Sequence, residues 1–523
     1  MSTVYYNGTI ITMEDCCIDA VLVTDGIIIK TGTLDDIKDV APQDVEFVDL
    51  HGKTLMPSFI DTHGHISMAA QMVSACNLSE CETFEQIITT LSEYKDKETK
   101  AIFGYSYDHN FLPGGKHPTK EVLDQVCTDI PIAILHTSAH MGCVNSKLLN
   151  MLNITRETPN PQGGLIGKVN GEPNGYLEEN ALFPILYKLK DYLDGDIFTN
   201  MHNVQLEYLS NGITTAQDGA SNLDTINLLK MLAFENQLLI DIVAYPVLNK
   251  DTIDIFNSNR EFANKYTNNL KLGGYKVILD GSPQGKSAWL TEPYENSGDY
   301  KSYGWYSDEE VEDLMFQAIE QNQQVLVHCN GDAAGDQFLT SYSKALSKSS
   351  VTNDLRPVMI HCQTARENQL DIMASLNVIP SIFVGHVYYW GDIHIQNLGK
   401  TRGENVSPVQ SAFNKNLVVN FHQDTPVTKP SPLFSVWAAV NRITRKGYIS
   451  GPHQRCSVYD ALKAVTINGA YAYFEENSKG SIKEGKIADL VILDKNPLEI
   501  DPMEIKDIKV LQTIKSGISY NFE

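Results

Sequence analysis

SDEEVEDLMFQAIEQNQQVLVH, residues 307–328, decides the fold class. Ser307-Asp308-Glu309-Glu310 is a capping box, with Ser at the cap and Glu three residues on, so that two orphan N–H groups are satisfied reciprocally. Val311, Leu314, Met315, Ala318 and Ile319 follow at helical spacing. The apolar run Val325-Leu326-Val327 then reads as a strand ending at His328. The unit repeats. Val358-Met359-Ile360 ends at His361 and leads into a helical stretch through Leu370, Met373 and Leu376. Residues 378–384 form the next strand candidate, and Leu417-Val418-Val419-Asn420-Phe421 runs to Asp424. Repeated βα units imply a parallel sheet, either doubly wound or closed into a barrel.

Outward from this region the rhythm changes. Near the start, Val4-Tyr5-Tyr6 and Thr9-Ile10-Ile11-Thr12 flank Asn7-Gly8, and residues 21–24 and 27–29 flank Asp25-Gly26. Both pairs read as hairpin turns. The C-terminal stretches 488–493 and 510–514 also read as strands. Two β-rich ends around a different middle predict one small composite domain, residues 1–56 plus 475–523, because chain ends often lie close together. Residues 57–474 then form the main domain. Within it, residues 70–200 break the rhythm and read as an irregular, Gly-, Asn- and Pro-rich insertion after the first strand. One helix stands out there, with Thr83 and Gln86 as caps and Phe84, Ile87, Ile88 and Leu91 on one face.

The chain has 523 residues, 42% hydrophobic and 20% charged, which is ordinary globular composition. A formal net charge of −24 argues against nucleic acid or an anionic membrane as partner, since both need basic patches. Nine scattered cysteines without a Cys-x-x-Cys pair fit a reducing compartment. No stretch approaches the length of a membrane span, and the first residues lack a basic and apolar leader. The expectation is a soluble cytoplasmic protein acting on a small molecule. The oligomeric state is open, a homo-oligomer included.

The strand ends carry metal-capable residues: His63 and His65, then Lys276, His328, His361 and Asp424. In a strand, residues i and i+2 share a face, so a strand end would aim His63 and His65 at one point. Any single histidine after an apolar run is ordinarily a core or capping residue; successive strand-end sites closed by an aspartate are harder to assign to coincidence. Four imidazoles and a carboxylate suit zinc and borderline divalent metals, as one ion or two. Lys276 has two readings. It is a paired or snorkelling lysine, or a buried amine that has lost its proton and added carbon dioxide to become a bridging carbamate.

The order His-x-His, Lys, His, His, Asp resembles the amidohydrolase superfamily. The phrases Lys276-Val277-Ile278-Leu279-Asp280-Gly281-Ser282, His328-Cys329-Asn330-Gly331-Asp332-Ala333 and Gln423-Asp424-Thr425-Pro426-Val427 resemble its family 3 branch, the N-substituted formamide deformylase-like metal-dependent hydrolases. His140-Met141-Gly142-Cys143-Val144-Asn145-Ser146 is similar to that branch's inserted segment, and residues 479–491 to its return to a small β-sandwich. The resemblance implies an α/β fold, a (β/α)8 TIM-like barrel with a β-sandwich built from both termini. It implies that His63, His65 and Asp424 hold one metal, that His328 and His361 hold a second, and that carboxylated Lys276 bridges them. Asp424 would be the catalytic residue, taking a proton from the activated water and passing it to the leaving amine. The activity implied is hydrolysis of a non-peptide C–N bond in an N-substituted or cyclic amide. His422 and Gln423 depart from the small residues usual before the aspartate, and are expected to reshape the pocket mouth.

Lesser candidates for substrate binding are His140, Asp280, Trp289 and Tyr388, each with a packing or capping role as the alternative. Two other functions are weighed. A ring-deaminating aminohydrolase of the same superfamily would usually place Glu three residues after His328, where this chain has Gly331. A catalytically idle ligand-binding or regulatory relative would not need the complete set of metal-capable residues.

Overall fold

The capping box opens the helix Asp308–Glu320: Ser307 accepts the Glu310 N–H, and the Glu310 carboxylate accepts that of Ser307. Val311, Met315, Ala318 and Ile319 are buried along one face, and Gln324–Cys329 follows as a fully buried strand. This is a computed structural model, and it describes residues 2–14, 16–95, 99–185 and 196–522. The fold is mixed α/β.

Two parallel sheets are built from the alternating units. One has the strand order Leu270–Leu272, Asp241–Pro246, Ile213–Ser221, Phe59–Ile60. The other runs Gly274–Ile278, Gln324–Cys329, Val358–His361, Ile379–Ile382, Asn420–Phe421. Gly273 separates the two sheets in sequence. A Cβ there would sit 2.6 Å from Val243 and 2.7 Å from the Tyr245 ring, so only glycine permits this approach. An isolated parallel bridge between Val247 and Lys276 joins the second sheet to the continuation of the Asp241–Pro246 strand. Helices such as Asp308–Glu320, Asp332–Lys348 and Glu367–Leu376 cover these sheets, and the largest apolar cluster lies between the two layers.

Strands from both chain ends share one sheet. A five-stranded sheet has the order Thr9–Ile10, Thr54–Pro57, Leu490–Leu493, Val510–Lys515, Ile518–Asn521. Tyr5, Val21, Leu55, Leu490 and Ile514 share one buried cluster. Asp25-Gly26 does join a hairpin, Ala20–Thr24 to Ile27–Gly32. Asn7-Gly8 does not. Ser2–Tyr6 pairs with Ala20–Thr24, while Thr9–Ile10 pairs with Thr54–Pro57 in the other sheet. A buried ion network ties the C-terminal segment to the parallel sheet: Lys271 with Glu475, Lys479 with Asp241 and Glu475, and Lys515 with Asp241 and Asp489.

The expectation of an irregular insertion is corrected. Its residues build a six-stranded mixed sheet, Gly164–Val169, Glu172–Glu179, Met141–Val144, Ile132–His136, Ile102–Tyr107, Cys76–Asn77. Residues 96–98 and 186–195 of the expected insertion lie outside the described residues. The Thr83-capped helix forms over Phe84–Tyr94. Among the described residues, no helix is long and apolar enough to cross a membrane.

Candidate active site

His63 and His65 lie beyond the strand that introduces them. Phe59–Ile60 ends at Ile60, and His65 already caps the helix Ile66–Met72. The expected strand-face geometry is therefore absent, and the backbone supplies the convergence instead. Asp424 N–H donates to His63 O (3.1 Å), His65 N–H to Thr425 O (2.7 Å) and Gly219 N–H to Gly64 O (2.8 Å). The His-x-His turn is thus pinned between the ends of two other chain segments. Gly219 must be glycine, because a Cβ would lie 2.5 Å from the His63 ring.

Gln217, on the strand Ile213–Ser221, orients His63. Its Oε1 is 2.6 Å from His63 Nδ1, and its Nε2 donates to Thr62 O (2.7 Å) and Tyr473 Oη (3.0 Å). With both amide protons engaged, Gln217 can only accept from the imidazole. His63 then carries its proton on Nδ1 and turns the Nε2 lone pair inward. That Nε2 is 3.5 Å from Asp424 Oδ1 and 3.2 Å from Lys276 Nζ. His65 Nε2 is 3.2 Å from the same Asp424 oxygen. Neither approach has hydrogen-bond geometry, so Asp424 Oδ1 is buried without a hydrogen-bond partner among the described residues.

A second group adjoins the first. His328 Nε2 lies 3.1 Å from both Gly281 O and Asn330 Nδ2, donating to the carbonyl as N–H or accepting from the amide as a lone pair. His328 Nδ1 faces His361 Nε2 at 3.0 Å. On its other side, His361 Nδ1 meets His422 Nε2 at 3.3 Å, and His422 Nδ1 meets Ser381 Oγ at 2.9 Å. His422 is fully buried in this row and Gln423 is buried behind it. The expectation that the two shape a pocket mouth is corrected. His63, His361 and Asp424 offer ligand atoms that all lie within 4.8 Å of one another.

Burial sets the electrostatics. It drives His63, His328 and His361 well below the ordinary histidine value, helped by neighbouring cationic groups including Lys276. It lowers Lys276 to about 7, against the opposing pull of Asp424. It pushes Asp61, two residues before His63, up to about 8. For Asp424 burial acts upward, but His65, His422 and Lys276 outweigh it and hold the carboxyl below its usual range. The imidazoles are therefore neutral at pH 7 and Asp424 is ionised.

The lesser candidates separate. His140 joins the site: its ring centroid is 4.9 Å from that of His328, and its Nδ1 is 2.9 Å from Glu179 Oε2. Asp280 is occupied structurally, accepting the backbone N–H groups of Trp289 (2.9 Å), Asn330 (3.0 Å) and Gly331 (2.7 Å). Trp289 is partly buried against the main core. Tyr388 packs on Phe434 and Trp437 and lines a pocket of about 550 Å³ that reaches Thr425, the residue after Asp424. Phe111, Tyr389, Trp390 and Phe434 give this pocket aromatic walls. Sequence reading missed Gln217, Glu179 and the role of His422. An amide or carboxylate on a buried strand was their only local signal.

Imidazole lone pairs and a bare carboxylate oxygen aimed at one volume are a donor set that fits divalent metal. Residues 46–519 match the family model described as amidohydrolase family. The chain is similar to the N-substituted formamide deformylase of Arthrobacter pascens, 26% identical over 98% of this chain and 96% of that protein. It is also similar to Protein LONG AFTER FAR-RED 3 of Arabidopsis thaliana, 27% identical over 94% of this chain and 86% of that protein. The fold matches the crystal structure of an uncharacterized metal-dependent hydrolase from Pyrococcus horikoshii, with TM-score 0.78 and 23% identity over 96% of this chain and 99% of that one. The chain belongs to the amidohydrolase family.

Proposed function

We propose that this chain hydrolyses a non-peptide amide, N-substituted or cyclic, in a zinc-class site at the strand ends. The carrying observation is that His63, His361 and Asp424 offer ligand atoms all within 4.8 Å of one another, with His328 Nδ1 3.0 Å from His361 Nε2 beside them. A cation there, or a proton shared between the two nitrogens, accounts for that approach. His63, His65 and Asp424 would hold one ion, and His328 and His361 a second. The metal would polarise the substrate carbonyl and lower the pKa of water.

The rest is the work of the chain. Asp424 is ionised and stands between His63 and His65, where it can take a proton from the attacking water and deliver it to the leaving amine. Lys276, near 7, presents a neutral amine to carbon dioxide. Its Nζ bonds the carbon, a proton leaves the nitrogen, and a carbamate results. His140, held by Glu179, is the candidate contact for the substrate oxygen. The aromatic pocket beside Thr425 suits the substituent on the amide nitrogen or acyl carbon. Ring deamination is disfavoured, because Asp332, the nearest acid after His328, is held by Thr291 and Arg366.

In the same reading the two parallel sheets close a (β/α)8 barrel, with Leu270–Leu272 and Gly274–Ile278 as one barrel strand interrupted at Gly273. Support comes from the Val247–Lys276 bridge on one side and, on the other, from Thr62 Oγ1 donating to Asn420 Oδ1 (2.8 Å). Residues 1–56 with 475–523 would be a β-sandwich domain beside it. The test is elemental analysis of the purified chain coupled to screening of N-formyl, N-acyl and cyclic amide libraries. Zinc-loaded protein should turn over one of these classes, and Lys276→Ala should lose activity that short carboxylates partly restore. A chain that binds metal yet cleaves no member of any library would count for the ligand-binding reading instead.

A further inference from the structure

The inserted sheet carries a second convergence of imidazoles that hydrolysis leaves unused. Ile102–Tyr107 and Ile132–His136 are parallel neighbours with His136 opposite Tyr107. Asp108 follows the first strand and caps the 3-10 turn His109–Phe111. Asp108, His109 and His136 therefore meet at one end of the sheet.

Their atoms are close. His109 Nδ1 is 3.0 Å from His136 Nε2, His136 Nε2 is 3.4 Å from Asp108 Oδ1, and His109 Nδ1 is 3.9 Å from the same oxygen. A point in their plane equidistant from all three lies about 2.0 Å from each, which is the bond length of zinc to imidazole nitrogen and carboxylate oxygen. The outer contacts fix the three groups. Asp108 Oδ1 accepts from Asn110 N (2.9 Å) and Nδ2 (2.8 Å), while Trp390 Nε1 holds Oδ2 at 3.1 Å. His117 stacks on His109 with ring centroids 4.0 Å apart, and its Nδ1 is 3.0 Å from Tyr107 Oη.

Ser138 holds His136 Nδ1 from two sides, and a liganding His136 must give up the backbone bond. The Ser138 backbone N–H, 3.1 Å from Nδ1, donates to a bare nitrogen; its Oγ, 2.9 Å away, accepts from a protonated one. The Nδ1-protonated tautomer leaves the Nε2 lone pair facing His109 and Asp108, as a ligand requires. Asp108, Phe111 and Thr137 line the pocket that reaches Thr425, and that pocket adjoins the group on its Asp108 side.

We propose that Asp108, His109 and His136 form a second divalent-metal site of the zinc class, with three protein ligands beside the pocket. It is independent of the catalytic reading. The competing arrangement is a metal-free hydrogen-bonded network, with His136 Nε2–H donating to Asp108 or His109.

The test uses the full chain, stripped with a chelator and titrated with cobalt(II) or zinc. In a His63→Ala, His361→Ala background, about one equivalent should remain bound. Adding Asp108→Asn and His136→Gln should remove it, while circular dichroism shows both variants folded. A folded background variant that binds no metal, or equal binding before and after the added substitutions, overturns the proposal. Zinc-soaked crystals of the wild-type chain provide a test without substitution. An anomalous peak between Asp108, His109 and His136 supports the site, and its absence at full zinc loading elsewhere overturns it.

Discussion

Gln217→Leu should weaken metal binding without touching a metal-facing atom. The leucine nearly conserves volume at a fully buried position. It removes the acceptor 2.6 Å from His63 Nδ1 and the donors to Thr62 O and Tyr473 Oη. His63 then has two options. It can keep Nδ1–H as a buried, unpaired donor, which costs about 1–3 kcal/mol. It can instead move the proton to Nε2 and lose the lone pair that faces Asp424 and Lys276. Either route penalises the liganding tautomer, and loss of such an outer partner typically lowers metal affinity about 10–100-fold. Thr62 O is stripped of the same amide, so unfolding free energy should also fall, by about 1–3 kcal/mol. Gln217→Glu separates the effects. Its carboxylate still accepts from His63 and raises imidazole basicity, but its second oxygen meets the Thr62 carbonyl. It should hold zinc at least as tightly as wild type while losing stability. Chelator competition gives the affinities and urea unfolding of the metal-free chain gives the stabilities. A folded Gln217→Leu chain that competes for zinc as well as wild type would refute the tautomer assignment.

Asp424→Asn keeps the shape of the side chain but cannot accept a proton, so kcat on an authentic amide should fall about 10²–10⁴-fold; an unchanged kcat in metal-loaded variant would leave Asp424 a ligand only. Asp61 makes a pH prediction. Its folded pKa of about 8 lies above the ordinary 3.8, so its contribution to stability is complete below about pH 4 and is lost as pH rises to 8. The slope is at most about 1.4 kcal/mol per pH unit. Asp61→Asn should therefore gain on metal-free wild type between pH 5 and pH 8 in urea melts, and a constant difference would count against the shift. Glu475→Ala leaves buried Lys271 without its partner carboxylate and should destabilise by about 3–5 kcal/mol, read as a drop in Tm.

The parts of the fold legible in the sequence are those whose signal is local and periodic. The Asp308–Glu320 helix and the strands ending near His328 and His361 have caps and apolar faces that no other element explains. Pairing partners are a different matter. Asn7-Gly8 marks a turn, but its flanking strands belong to different sheets, and a turn signal says nothing of what each arm meets. Leu417–Val419 looks like a strand, yet its amides bond locally, Leu417 N–H to Ala412 O and Val419 N–H to Leu417 O. Only Asn420–Phe421 reaches the sheet. In the insertion, Ile132–His136 and Met141–Val144 are buried on both faces, which erases the alternation that would have revealed them.

The candidate site was legible as a residue set but not as a geometry, and the reason is physical. Side-chain type says what can bind a metal; the main chain says where it stands. The backbone bonds of His63, Gly64 and His65 reach Asp424, Gly219 and Thr425 across more than one hundred and fifty residues of sequence. His361 and Asp424 adopt positive φ, +71° and +56°. This conformation is strained for a side chain larger than Gly and costs about 1–3 kcal/mol when the surroundings enforce it. Such strain persists only where neighbouring pairing over-determines the backbone. The frame, once folded, therefore holds its ligand atoms in place before any metal arrives. That is why changes to His63, His328 or Asp424 should alter metal binding and chemistry while the strand pairing survives, and why changes to Gly219 should disturb the site through the backbone. A Gly219→Ala chain, whose new methyl would press on the His63 ring, should lose metal affinity with all six metal-facing residues intact.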